Sequence, residues 1–127
     1  MRRIYLDYNA TTQIAPAVQE AMLPFLTEHF GNPSSNHALG RAAHEGIEDA
    51  RSHVAAILGA DRDEIVFTSG GTESNNLALW GVMTRNSPPF RGHLIVSQFE
   101  HPAVMAPANF LQRLGFDVTY VPCNSDG

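Results

Sequence analysis

The sequence predicts an α/β fold, a mainly parallel sheet with flanking helices, and three observations carry that reading. Short β-branched or aromatic runs at 65–67, 93–97 and 116–121 alternate with segments of helical spacing. The intervening helices are about a dozen residues long, the length of a crossover between parallel strands. Two loops, Gly70-Gly71-Thr72 and Glu100-His101-Pro102, each follow one of those runs. They should face one rim, where open α/β sheets bind ligands.

From the N-terminus, Arg3 to Leu6 reads as a short extended segment and Asp7 to Thr12 as an ordered polar loop. Pro16 to Glu28 spaces Val18, Met22, Phe25 and Leu26 helically, with Pro16 in the first turn where its missing N–H costs nothing. Pro24 lies inside that pattern and should kink or split the helix. Phe30 to Ser35 is a cluster of turn formers. From Asn36 to Leu58, the residues Leu39, Ala43, Ile47, Ala50, Val54 and Ile57 step by three or four, predicting an amphipathic helix with that stripe inward and Gly59 as its cap. The opposite face carries Arg41, Glu45, Glu48, Arg51 and Ser52 and reads as solvated.

Ile65-Val66-Phe67 predicts a strand, and a helix follows from Thr72 to Met83. Trp80 on that helix is assigned to the core rather than to a cofactor. Asn86 to Gly92 is a loop, His93 to Ser97 a buried-type strand, and Pro102 opens a helix to Leu114 with Val104, Ala108 and Leu111 inward and Gly115 at its end. Phe116 to Val121 alternates as a third strand. Three strands are few for a parallel sheet, so residues 1–127 are expected to be the front part of one longer domain.

Composition narrows the partners. Eight basic residues, all arginine, face 13 acidic ones for a net charge of -5, which argues against a nucleic-acid footprint and a polybasic membrane patch. No apolar run approaches the roughly 20 residues of a membrane span. A lone cysteine, Cys123, excludes an internal disulfide framework, and with no signal-peptide h-region in MRRIYLDYNATT the expected setting is reducing and cytoplasmic.

Between strand and helix, the paired glycines Gly70 and Gly71 can adopt positive φ and admit a ligand to the backbone, while the helix start offers unpaired N–H groups to an anion. Ser69 and Thr72 could add hydroxyl donors. The same residues also fit a tight turn that binds nothing. The chain has no lysine, so a Walker-type phosphate loop is excluded, and G-x-G-x-x-G does not occur. The six histidines lack metal-binding spacing; His29, His44 and His53 read as surface residues. Cys123, beside Pro122, has no recognisable activating partner and reads as incidental. His101 follows a strand and precedes a helix-starting proline, either as a functional group on the glycine-turn rim or as a residue that caps or packs.

Together these motifs resemble the cysteine desulfurases of the class V aminotransferase group, fold type I enzymes that use pyridoxal 5'-phosphate (PLP). The resemblance lies in YLDYNATT (5–12), FGNPSSNHALGR (30–41), EIVFTSGGTESNNLAL (64–79), EHPAV (100–104) and GFDVTYV (115–121). It covers nearly the whole chain but only about the first third of a family member. It implies that Gly71 and Thr72 hold the PLP phosphate and that the catalytic His101 stacks on the pyridine ring and assists proton transfer. Asn9, Ala10, Thr11 and His37 match segments near the active-site mouth, and Glu73 and Asn76 match the motif without an assigned contact.

The implied activity is conversion of L-cysteine to L-alanine with sulfur passed on as persulfide to an acceptor protein, by a homodimer and in the service of iron-sulfur cluster assembly. Three family parts lack a counterpart: the Schiff-base lysine, the carboxylate at the ring nitrogen, and the sulfur-accepting cysteine, whose position Cys123 does not occupy. Covalent attachment of PLP through lysine is therefore impossible within this chain. The alternatives are another class V lyase, such as a selenocysteine lyase, a non-catalytic module that binds phosphate or a partner subunit, and an inactive truncated reading frame.

Overall fold

The computed structural model describes residues 3–85 and 92–124. They fall into two units, Met1–Val66 and Phe67–Gly127. In the first unit, the 7–12 segment is ordered by its own groups. The Tyr5 hydroxyl donates to the Asp7 carbonyl at 2.9 Å and the Thr11 carbonyl at 3.3 Å, and the Ala10 amide donates to the Asp7 carbonyl at 3.1 Å.

Helix α1 spans Pro16–Thr27 and α2 spans Ala38–Leu58. Pro24 does not split α1. It stands in the last turns, where its own carbonyl accepts from the amides of Glu28 and His29, each at 2.8 Å, so the helix end is closed despite the missing donor. Helices α1 and α2 meet at Gly46, where an added Cβ would lie 2.3 Å from the Phe25 ring. Small residues make that approach possible and decide which face of α2 is buried. Gly40, Ala43 and Ala55 are covered, whereas Leu39, Ile47 and Ile57 stay exposed, Ile57 at 83%. The stripe predicted to point inward is thus only partly the buried one.

The face of α2 read as solvated carries a polar cluster. Glu48 accepts from Arg51 at 3.1 Å and from Arg62 at 2.5 Å, and Arg51 also donates to the Ile65 carbonyl. Hydrogen bonds from Arg62 and then Arg51 hold the Glu48 carboxyl below its ordinary range. This ties a short 3-10 turn at Arg62–Glu64 to the side of α2.

In the second unit, α3 spans Gly71–Thr84, β1 His93–Ser97, α4 Pro102–Arg113 and β2 Asp117–Val121. Strands β1 and β2 pair in parallel, in a register running from His93 with Asp117 to Ser97 with Val121. Met83, Leu111 and Phe116 form the core, with Leu79, Trp80 and Leu94 packed on it. Gly59 ends α2 at φ 64 and Gly115 follows α4 at φ 93, the left-handed caps the sequence predicts.

Two expectations are corrected. The described sheet has two strands rather than three. Ile65 is extended, at φ -99 and ψ 124, but no described strand runs beside residues 65–67, and a β-prone run without a ladder remains an extended loop. Strand β1 is not buried throughout: Val96 is covered while Ile95 is 61% exposed, because with one neighbouring strand and few packed helices its second face has no cover. Most of the predicted loop from Asn86 to Gly92 lies outside the described residues.

Leu111, 0% exposed, should lose about 2–5 kcal/mol on truncation to alanine. Ile57→Gln, on the stripe that sequence alone places inside, should change stability by less than about 0.5 kcal/mol. Urea denaturation midpoints at unchanged slope check both, and a larger loss at Ile57 than at Leu111 would reverse the assignment of the core.

Candidate active site

Helix α3 begins at a glycine pair that does not use the left-handed conformation open to it. Gly70 is extended, at φ 161 and ψ 178, and Gly71 is the first helical residue. A Cβ at either position would meet nothing within 4 Å, so the backbone there is open. No described side chain caps this helix. Its first amides, with no side-chain cap among the described residues, stand at the positive end of the helix dipole.

The loop before the helix is tied down by side chains. Glu73, in the first turn, accepts through Oε2 from the Ser69 amide at 2.7 Å and the Ser69 hydroxyl at 2.6 Å. The hydroxyls of Thr68 and Ser74 lie 2.5 Å apart. The Ser69 hydroxyl, expected as a possible anion donor, is thus directed to Glu73. Those bonds, the hydroxyl first and the amide second, hold the Glu73 carboxyl below its ordinary range. Asn76 donates to the Thr72 carbonyl at 2.8 Å.

His101 caps α4, its Nδ1 accepting from the Ala103 amide at 3.0 Å. A ring nitrogen that accepts carries no proton, so the neutral imidazole holds its hydrogen on Nε2. It therefore caps the helix, one of the two readings the sequence leaves open, and it also lines a cavity.

That cavity, about 620 Å³ and open to solvent, runs between α3 and α4. Thr72, Asn76 and Trp80 line it from α3 at four-residue intervals, a single stripe about 12 Å long. His101, Ala103, Pro107, Phe110 and Arg113 are among those facing it from α4. Trp80 and Phe110 form its apolar wall with ring centroids 5.6 Å apart, and Arg113 stands 5.8 Å from the Phe110 ring centre. Trp80 is both the core residue the sequence predicts and a wall of the cavity.

The structure thus brings Thr72 and His101 to one cavity, with Gly71 beside Thr72 at the start of α3. Asn9, Ala10, Thr11 and His37 belong to the first unit. Asn9 and Ala10 are in the turn after Asp7, and His37 caps α2 by accepting from the Gly40 amide at 3.3 Å. His44 and His53 are exposed as expected, while His29 is half-buried with its ring 5.6 Å from that of Phe25. Cys123 is exposed, its sulfur 3.5 Å from the Ser97 hydroxyl. The one signal for Glu73 is a glutamate in the first turn of a helix, a position from which a carboxylate reaches back to the residues before the helix.

The second unit is thus a parallel α/β unit with Thr72, at the start of α3, and the imidazole of His101 on one cavity. The chain belongs to the aminotransferase class-V family, whose sequence profile matches residues 4–127. It is 52% identical over 126 residues to cysteine desulfurase IscS of Dictyoglomus turgidum, covering 99% of this chain and 32% of that protein. Cysteine desulfurase IscS 1 of Archaeoglobus fulgidus is 48% identical over 123 residues, covering 97% of this chain and 32% of its own. Among solved structures, a NIFS-like protein superposes with a TM-score of 0.86 at 40% identity, covering 95% of this chain and 33% of the other. SspA in complex with cysteine gives a TM-score of 0.82 at 44% identity, with 92% and 33% covered. The chain spans about a third of the length of the relatives it matches.

The Glu73 carboxyl is bound more tightly as the anion in the folded turn, so its contribution to stability is fully present above the ordinary value of 4.5 and is lost as pH falls through the lower folded value. The stability difference between the parent and Glu73→Gln should accordingly be constant above about pH 5 and shrink below it. Denaturant titrations across pH 2.5–7 check this; a difference that grows on acidification would contradict the assignment.

Proposed function

We propose that this chain is the N-terminal part of a PLP-dependent cysteine desulfurase, carrying the phosphate-binding turn and one face of the cofactor site. The observation that carries the reading is the shared cavity of Thr72 and His101, below the uncapped start of α3. The residues present fit the group. A phosphate dianion suits the open amides of Gly71 and Thr72 and the Thr72 hydroxyl, and two glycines without side-chain obstruction leave room for it. A planar ring carried on that phosphate suits the imidazole of His101, which lines the same cavity as Thr72.

When bound, the cofactor supplies an electron sink for substrate carbanion chemistry. The residues of this chain bind and orient. Gly71 and Thr72 fix the phosphate end, which sets where the ring lies. His101, with Nδ1 engaged by the Ala103 amide, presents Nε2–H as a hydrogen-bond donor toward a bound ligand. With no lysine in the sequence, a covalent anchor would have to come from outside these residues. Asn9, Ala10, Thr11 and His37 are assigned to the substrate side. L-cysteine is the proposed substrate, an acceptor protein takes the sulfur for iron-sulfur cluster assembly, and the working assembly is a homodimer. The names and titles of the relatives support the cysteine chemistry. Among the described residues no helix is long and apolar enough to cross a membrane, and the net charge of -5 fits a protein without a nucleic-acid partner. The cytoplasm is the proposed compartment, in keeping with a single free thiol.

PLP should bind the chain more tightly than pyridoxal, which lacks the phosphate. Thr72→Ala should weaken PLP by about ten- to a hundredfold, the equivalent of one hydrogen bond to a charged group, while leaving pyridoxal binding and thermal stability nearly unchanged. Titrations followed by phosphorus NMR and by cofactor absorbance measure this. Equal binding of the two compounds, or equal loss of stability and binding in the variant, would remove the phosphate assignment.

A further inference from the structure

A glutamate at the third position of a helix ordinarily reaches back to the amide of its own cap residue. Glu73 reaches one residue further, to Ser69, which lies outside the helix. Both bonds fall on Oε2, at 2.7 and 2.6 Å, so the carboxylate satisfies the donors of the loop and leaves the first amides of α3 unclaimed. Between Ser69 and Glu73 lie Gly70 and Gly71, the most pliable pair of residues the turn could contain. A second tether, between the Thr68 and Ser74 hydroxyls at 2.5 Å, closes over the same two glycines.

We infer that Glu73 is a positioning residue for the phosphate cradle, its carboxylate latched to Ser69 so that the amides of Gly71 and Thr72 converge on a dianion. This rests on the phosphate reading above. Charge alone argues against a carboxylate here, because a negative group in the first turn lowers the potential that attracts phosphate. Its presence is explained by geometry, since two glycines in sequence would otherwise sample many paths and the ordering cost would fall on the ligand.

The two effects have opposite signs, which makes the inference testable. If Glu73 acts only as a nearby charge, Glu73→Ala tightens binding of PLP and inorganic phosphate, and Glu73→Gln behaves like alanine. If it positions the turn, Glu73→Ala weakens both ligands by about five- to tenfold, and Glu73→Gln, which keeps an acceptor at the same reach, restores most of the affinity. Both variants are measured in the full chain by titration with PLP and with inorganic phosphate, alongside amide exchange at Ser69, whose bond to Glu73 is lost and whose exchange should quicken in the alanine variant. Should that variant not fold, Ser69→Ala, which keeps the charge and the amide bond, should weaken the same ligands by about two- to threefold. Tighter or unchanged binding in Glu73→Ala, or unchanged binding in Ser69→Ala, overturns the role. Thr72→Ala run in parallel separates the two failures: weakening there without weakening at Glu73 removes only the positioning role, whereas no effect at Thr72 removes the phosphate reading with it.

Discussion

The packing of α4 against α3 is the constraint on which the candidate site depends. Leu111 of α4 is sealed against Met83 of α3 and against Phe116, with Leu79, Trp80 and Leu94 around them. One apolar cluster therefore fixes two helices and the sheet. A helix start is useful to a ligand only if a second group is held at a fixed distance from it. Here the second group is His101, which belongs to the same packed pair because it caps α4. Burial at one end of the helix pair thus defines the chemistry at the other.

The polar groups near the cavity divide their hydrogen bonds in a way that keeps the site open. Ser69, Glu73, Thr68 and Ser74 satisfy one another within the loop. Asn76 and the His101 Nδ1 are also engaged, with the Thr72 carbonyl and the Ala103 amide. Thr72, His101 and the aromatic residues Trp80 and Phe110 are among those that line the cavity. The sequence has no lysine, so in the proposed reading these residues would serve grip and orientation but not covalent attachment.

Much of the second unit could be read from spacing because its signals agree with one another. Pro102 at a helix start, Gly115 past its end and Ala108 and Leu111 on one face all describe α4 as it stands. The parallel pairing of β1 with β2 followed from the length of the segment between them. The third strand was not recoverable, since Ile65, Val66 and Phe67 carry β propensity but strand formation depends on a partner that residues 65–67 lack among the described ones. In α2 the periodicity is as expected and the buried face only partly so: Ala43 of the stripe is covered, but Leu39 and Ile57 are exposed while the small residues Gly40 and Ala55 are buried. Of the site, Thr72 and His101 were legible as turn-flanking residues after strand-like runs. The latch of Glu73 on Ser69 escaped notice because the glycines between them drew the reading toward backbone freedom, which Gly70, in extended conformation, does not use.

The central claim is that the start of α3 and the imidazole of His101 grip one molecule. Nitrogen-resolved NMR of the chain during a PLP titration tests it most directly. The account predicts that the amides of Gly71 and Thr72 and the ring nitrogens of His101 shift together along a single binding isotherm. Separate isotherms, or a shift at His101 with none at the two amides, would contradict it.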